Sequence, residues 1–105
     1  MLEYERLWVK EVEVNGLMRG EELKYYLGEM HEEMLFADGF DEALIGHGER
    51  CGLIVALYDA DKCIEILMNR DGMDDEEAWE FFSYNVLGAY VGEFTPIFCF
   101  LENNY

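Results

Sequence analysis

The segment Leu53–Met73 constrains the fold most. It opens with an unbroken apolar run, Leu-Ile-Val-Ala-Leu-Tyr, and then changes period at Asp59. A short continuous apolar run suits a strand buried on both faces, and the spacing that follows suits a helix. From Ala60 to about Arg70, Cys63, Ile64, Leu67 and Met68 fall on one stripe. Asp59 stands where an N-cap belongs, Asp61 adds a favourable first-turn charge, and Gly72 with Met73 fits a helix stop. The reading is a central strand, Leu53–Tyr58, running directly into a helix.

The flanking chain supplies partners for that unit. Val12 and Val14 alternate with Glu11 and Glu13 before a tight-turn signal at Asn15-Gly16, which predicts an exposed strand over Leu7–Val14. Gly20–Met34 reads as an amphipathic helix burying Leu23, Tyr26, Leu27, Met30 and Met34. Asp38-Gly39 marks a turn. A short strand over Glu42–His47 and a loose loop at Gly48–Gly52 would lead into the central strand, with a bulge or left-handed residue at one glycine. Asp74-x-x-Glu77 resembles a capping box and opens a helix that buries Ala78, Phe81, Phe82, Val86 and Ala89. Asn85 falls on that stripe and would need a hydrogen-bond partner there. Thr95–Leu101 reads as a last strand, with Pro96 at its start or on an edge. Asn103–Tyr105 is a tail. The sum is one compact α+β domain over residues 1–105, a small, mainly antiparallel sheet of three to four strands with about three helices packed on it.

Charge is the strongest functional signal. There are 24 acids against 7 bases, a formal net charge of −17 in 105 residues. Self-repulsion at this level opposes folding. Direct binding to nucleic acid or anionic lipid is disfavoured, because such contacts depend on Lys and Arg. Half the residues are hydrophobic and 15% are aromatic, so the chain can build a core and is no disordered acidic tail. No apolar run reaches the length of a membrane span. Met1–Arg6 does not open a secretory signal, and Cys51, Cys63 and Cys99 read as reduced thiols, Cys63 and Cys99 as core fillers. A cytoplasmic protein is expected.

Two acidic groups stand out as a protein-binding surface: Glu29, Glu32 and Glu33 on the first helix, and Asp74, Asp75, Glu76, Glu77 and Glu80 at the start of the third. Fixed on rigid elements, such carboxylates could mimic phosphates and dock on a basic face of a nucleic-acid-handling protein. A solvated, solubilising surface or a halophilic origin would also account for them. A second reading gathers Asp38, Asp41, Glu42, Asp59 and Asp61 at one sheet edge, where clustered carboxylates bind Mg²⁺ or Ca²⁺ or act as an acid–base pair. Asp59 and Asp61 already have local reasons to be where they are. His31 reads as an exposed imidazole among glutamates, and His47 is too near Cys51 in sequence to pair with it well. Helix starts occupied by Asp59, Asp61 and Asp74–Glu77 repel phosphate, so nucleotide binding is disfavoured. No catalytic motif or cofactor-binding motif is present, and a non-enzymatic binding role is expected. A third reading is a homodimer formed across Leu7–Val14.

The stretch Asp38–Phe98 resembles a group of small uncharacterised proteins of bacteria and their phages. The resemblance rests on Asp38-Gly39-Phe40-Asp41-Glu42-Ala43, Tyr58-Asp59-x-Asp61-Lys62-Cys63-Ile64-x-Ile66-Leu67, Arg70-Asp71-Gly72-Met73, Glu76-Glu77-Ala78, Asn85-Val86-x-Gly88-Ala89-Tyr90-Val91-Gly92-Glu93 and Thr95-Pro96-Ile97-Phe98. It implies a cytosolic, often phage-borne setting in which an inhibitor of a host protein would fit. It implies no activity, and it leaves the first 35 residues unconstrained.

Overall fold

The computed structural model describes residues 18–102. The expected strand Leu7–Val14 and the tail Asn103–Tyr105 lie outside them. In chain order the elements are α1 (Gly20–Met30), a 3-10 turn (Asp41–Ala43), β1 (Leu44–Arg50), β2 (Leu53–Asp59), α2 (Ala60–Asp71), α3 (Asp75–Phe81), a π-helical segment (Phe82–Leu87) and β3 (Ile97–Cys99). The fold is α+β. The sheet runs β1-β2-β3, so β2 is central.

The strand-to-helix unit forms as its sequence dictates. The Asp59 side chain accepts a hydrogen bond from the Lys62 amide at 3.3 Å, which satisfies one of the orphan donors of α2. At the other end Gly72 is left-handed, and the amides of Gly72 and Met73 both return to the Leu67 carbonyl. Cys63 and Leu67 are buried, and Ile66 joins them while Met68 turns outward.

β1 and β2 pair antiparallel from Leu44↔Tyr58 to Arg50↔Leu53, with a bulge between Leu44 and Gly46. β1 therefore runs through the stretch expected to be a loose loop, and the true connection is Cys51-Gly52. Both residues have positive φ, 53° and 80°. Two successive left-handed residues make the turn whose twist matches a hairpin, at a cost for any residue other than Gly, Asn or Asp at the first position. Cys51→Asn should therefore stabilise the domain by about 0.5 kcal/mol. Equal denaturation midpoints for the two proteins would contradict this account of the turn.

β3 lies parallel to β2, with Leu57↔Ile97, Tyr58↔Phe98 and Asp59↔Cys99. A parallel neighbour needs a crossover, and α2, α3 and the π-helical segment supply it. The sheet is thus mixed, its longer ladder antiparallel.

The core lies between the sheet and these helices. Tyr58 is fully buried at its centre. Its hydroxyl accepts a hydrogen bond from the Ala37 amide at 2.8 Å, which fixes the loop before β1. Its ring stacks on Phe98 at 5.3 Å, and Phe98 meets Phe82 edge-on at 5.4 Å. Phe82 continues to Trp79, and Trp79 to Phe100. This aromatic column ties β2 and β3 to the last helical segment.

Two helices depart from their periodicity. α1 ends at Met30, not Met34, and His31 leaves the helical region with φ −136° and ψ 87°. The last turn has no basic residue. Extending the helix would add Glu32 and Glu33 to Glu29 at its negative end, which the dipole opposes. Met34 still reaches the core through a turn closed by its amide on the His31 carbonyl. Tyr26 and Met30, expected inside, are exposed.

After Phe81 the helix widens. The Gly88 amide reaches back to the Ser83 carbonyl, a five-residue step, at 3.0 Å. A Cβ on Gly88 would lie 3.0 Å from that same oxygen, so the tight closure suits glycine. The wider turn rotates the residues beyond Phe82 relative to an α-helix. Ala78 and Phe82 are buried and Val86 packs against them, whereas Phe81, Asn85 and Ala89 face outward.

Candidate protein-binding surface

The acidic residues at α3 are placed by helix-start chemistry. Asp74 Oδ1 accepts from the Glu77 amide at 2.9 Å, and Glu77 Oε1 accepts from the Asp74 amide at 3.2 Å. This reciprocal cap is the one read from the sequence. Asp75, Glu76 and Glu77 occupy the first turn, where the dipole favours negative charge. Asp74, Asp75, Glu76, Glu77 and Glu80 are all exposed. Asp74 and Glu77 thus do structural work, while Asp75, Glu76 and Glu80 have no hydrogen bond or ion pair among the described residues.

Glu29, Glu32 and Glu33 are likewise exposed. Only Glu29 sits on a helix, because α1 stops before the other two. The three border an open depression with His31, Leu53 and Phe94. Of the α3 acids, Glu77 and Glu80 border a different one. The two groups therefore border separate depressions.

Four of the five Lys and Arg among the described residues are engaged within the fold, and Arg19 makes no ion pair there. Lys24 pairs with Asp41 at 3.3 Å, Lys62 with Glu65 at 3.0 Å and Arg70 with Asp71 at 3.0 Å. Arg70 also donates to the Gly39 carbonyl at 2.6 Å and lies over the Phe40 ring, which ties the Asp-Gly turn to α2. Its guanidinium holds the Asp71 carboxyl below the usual range. Arg50 donates to the backbone carbonyls of Glu93 and Thr95. Lys24 also shares a depression with Glu29, but none of the four is ion-paired to an acid of either group.

The metal-site reading finds no matching geometry among the described residues. Asp41 is held by Lys24, Asp59 caps α2, and among the described residues no three His, Cys, Asp or Glu side chains converge on a point where a cation could sit. Asn85 is exposed, not buried on the stripe, so it needs no internal partner. The widened turn is the reason. His47 pairs not with Cys51 but with His31, ring centroids 5.9 Å apart, and His31 is half-buried at the end of α1. Burial first, and the nearby Asp59 charge second, push the Cys63 thiol up to about 12, so it is no nucleophile at neutral pH. Burial also raises Cys99.

Sequence reasoning missed the aromatic residues of the surface. Trp79 is 47% exposed, Tyr84 82% and Tyr90 78%, and Phe81 also faces outward. A signal was present for Trp79 and Tyr84. Neither shares a face with Ala78 and Phe82, and both stand beside acids, where a purely solvating surface has no use for large rings. Phe81 gave no such signal, since it lies within an α-helical stripe.

Among the described residues no helix is long and apolar enough to cross a membrane. Comparison with family models, with curated proteins and with solved structures finds no match to this chain.

Proposed function

We propose that this is a non-enzymatic binding protein of the cytoplasm that docks its acidic surface on a basic, nucleic-acid-binding face of a larger protein, and so inhibits or modulates it. The carrying observation is the imbalance at the surface. The carboxylates of both groups are exposed, while four of the five cations among the described residues are engaged with other groups. A chain under strong self-repulsion gains from a partner that supplies the missing positive charge. Complementary fields of this kind speed encounter and select partners. The reciprocal cap of Asp74 and Glu77 holds the start of α3, so the backbone that carries these carboxylates loses little freedom on binding. The resemblance to proteins of bacteria and their phages agrees with a host protein as target.

The test is competition. A basic partner retained by the protein at low salt is loaded with labelled duplex DNA, and the protein is titrated in. Displacement of the DNA that weakens steeply with added salt is the expected result. Simultaneous binding of protein and DNA would overturn phosphate competition.

A further inference from the structure

One depression of the acidic surface has a chemistry of its own. It is lined by Met73, Glu77, Glu80, Phe81, Tyr84 and Asn85, and it holds about 340 Å³. It is open to solvent along one side. Glu77, Glu80 and Phe81 share one face of α3 through the spacing i, i+3, i+4, and Tyr84, on the π-helical segment, lines the same depression. The face therefore sets carboxylates beside aromatic rings. Glu77 keeps one oxygen free of its capping bond, and Glu80 is unengaged among the described residues.

The widened turn after Phe81 contributes to this arrangement. It leaves Asn85 outside, where an unbroken α-helix carrying the same stripe would have drawn it inward, while Phe81, in the last turn of α3, is exposed beside buried Ala78 and Phe82. π-helical turns recur at functional sites, where an altered register re-aims side chains.

We propose that this depression seats an arginine side chain of the basic partner. A guanidinium is planar and weakly hydrated. It can lie on an aromatic face while its edge donates to carboxylates. A lysine ammonium carries the same charge, but it is more strongly hydrated and cannot stack. Negative charge alone would serve either cation equally, so the exposed rings of Phe81 and Tyr84 favour arginine. Asn85 adds a side-chain carbonyl able to accept from the same fork.

The inference rests on the docking role proposed above, and the experiment separates the two. The probes are end-blocked tetra-arginine and tetra-lysine peptides, titrated into the isotope-labelled full chain at low salt and followed by amide shifts. Tetra-arginine should shift residues 77–85 saturably and bind about tenfold more tightly than tetra-lysine. Tyr84→Ala should remove most of that preference, and Glu80→Gln should weaken both peptides. Tyr84 is 82% exposed, so its removal opens no cavity. Equal affinity for the two peptides, or a Tyr84→Ala protein with its preference intact, would overturn the arginine seat. If the shifts instead gathered around Glu29, Glu32 and Glu33, the seat would fail and acidic docking would stand. If neither peptide bound at low salt, both would fail.

Discussion

Replacing Phe82 with alanine is expected to cost about 3–5 kcal/mol. Phe82 is fully buried, contacts Phe98 edge-on and joins Trp79 to the sheet. Removing the ring takes away the apolar transfer term and leaves a gap that the stiff column of Tyr58 and Phe98 has little freedom to close. Domains of this size hold only about 5–15 kcal/mol in total, and the charge of −17 lowers that further when salt is low. The variant should therefore be largely unfolded in dilute buffer and recover with added salt. Denaturant titration at two salt concentrations measures this. A loss below about 1 kcal/mol would mean that the column is not the centre of the core.

The second large effect is on binding. Changing Glu29, Glu32 and Glu33 to Gln, with Asp75→Asn, Glu76→Gln and Glu80→Gln, removes charge but no core contact, since all six are exposed. Asp74 and Glu77 are kept so that the cap survives. Two terms act on stability. Lost first-turn charges on α3 cost ~0.3–1 kcal/mol each, and relief of repulsion across the molecule offsets this. At low salt the net change should be small. Affinity for a basic partner should fall about a hundredfold, since exposed pairs contribute ~0.2–1 kcal/mol apiece. Measuring melting and affinity on one preparation separates the two. Unchanged affinity would place the binding surface elsewhere on the molecule.

Much of the fold was legible because local chemistry decided it. Asp59 and Asp74 each had to be a cap, Gly72 a stop, and Leu53–Tyr58 a buried strand. What escaped was set by forces that periodicity does not carry. α1 ends early because a run of glutamates meets its own dipole. The hairpin turn falls at Cys51-Gly52 because the strand extends through glycines that read as loop. β3 is parallel because of the crossover, which no residue of Thr95–Leu101 announces. The acids of the surface were legible as charge, but the separate depressions they border were not. The exposure of Asn85 stayed hidden, because the widened turn carries it outward against the α-helical stripe on which it was read.

The most direct test of the central claim is the salt dependence of partner binding, measured together with DNA competition. Dissociation constants for the protein and a captured basic partner would be taken from low to high monovalent salt. Screening weakens exposed charge pairs over a Debye length of ~10 Å at 0.1 M. The account predicts a steep, continuous loss of affinity, a shallower slope for the six-site neutral variant, and displacement of duplex DNA from the same face. An affinity that stays flat across the salt range, with DNA still bound to the partner, would contradict it.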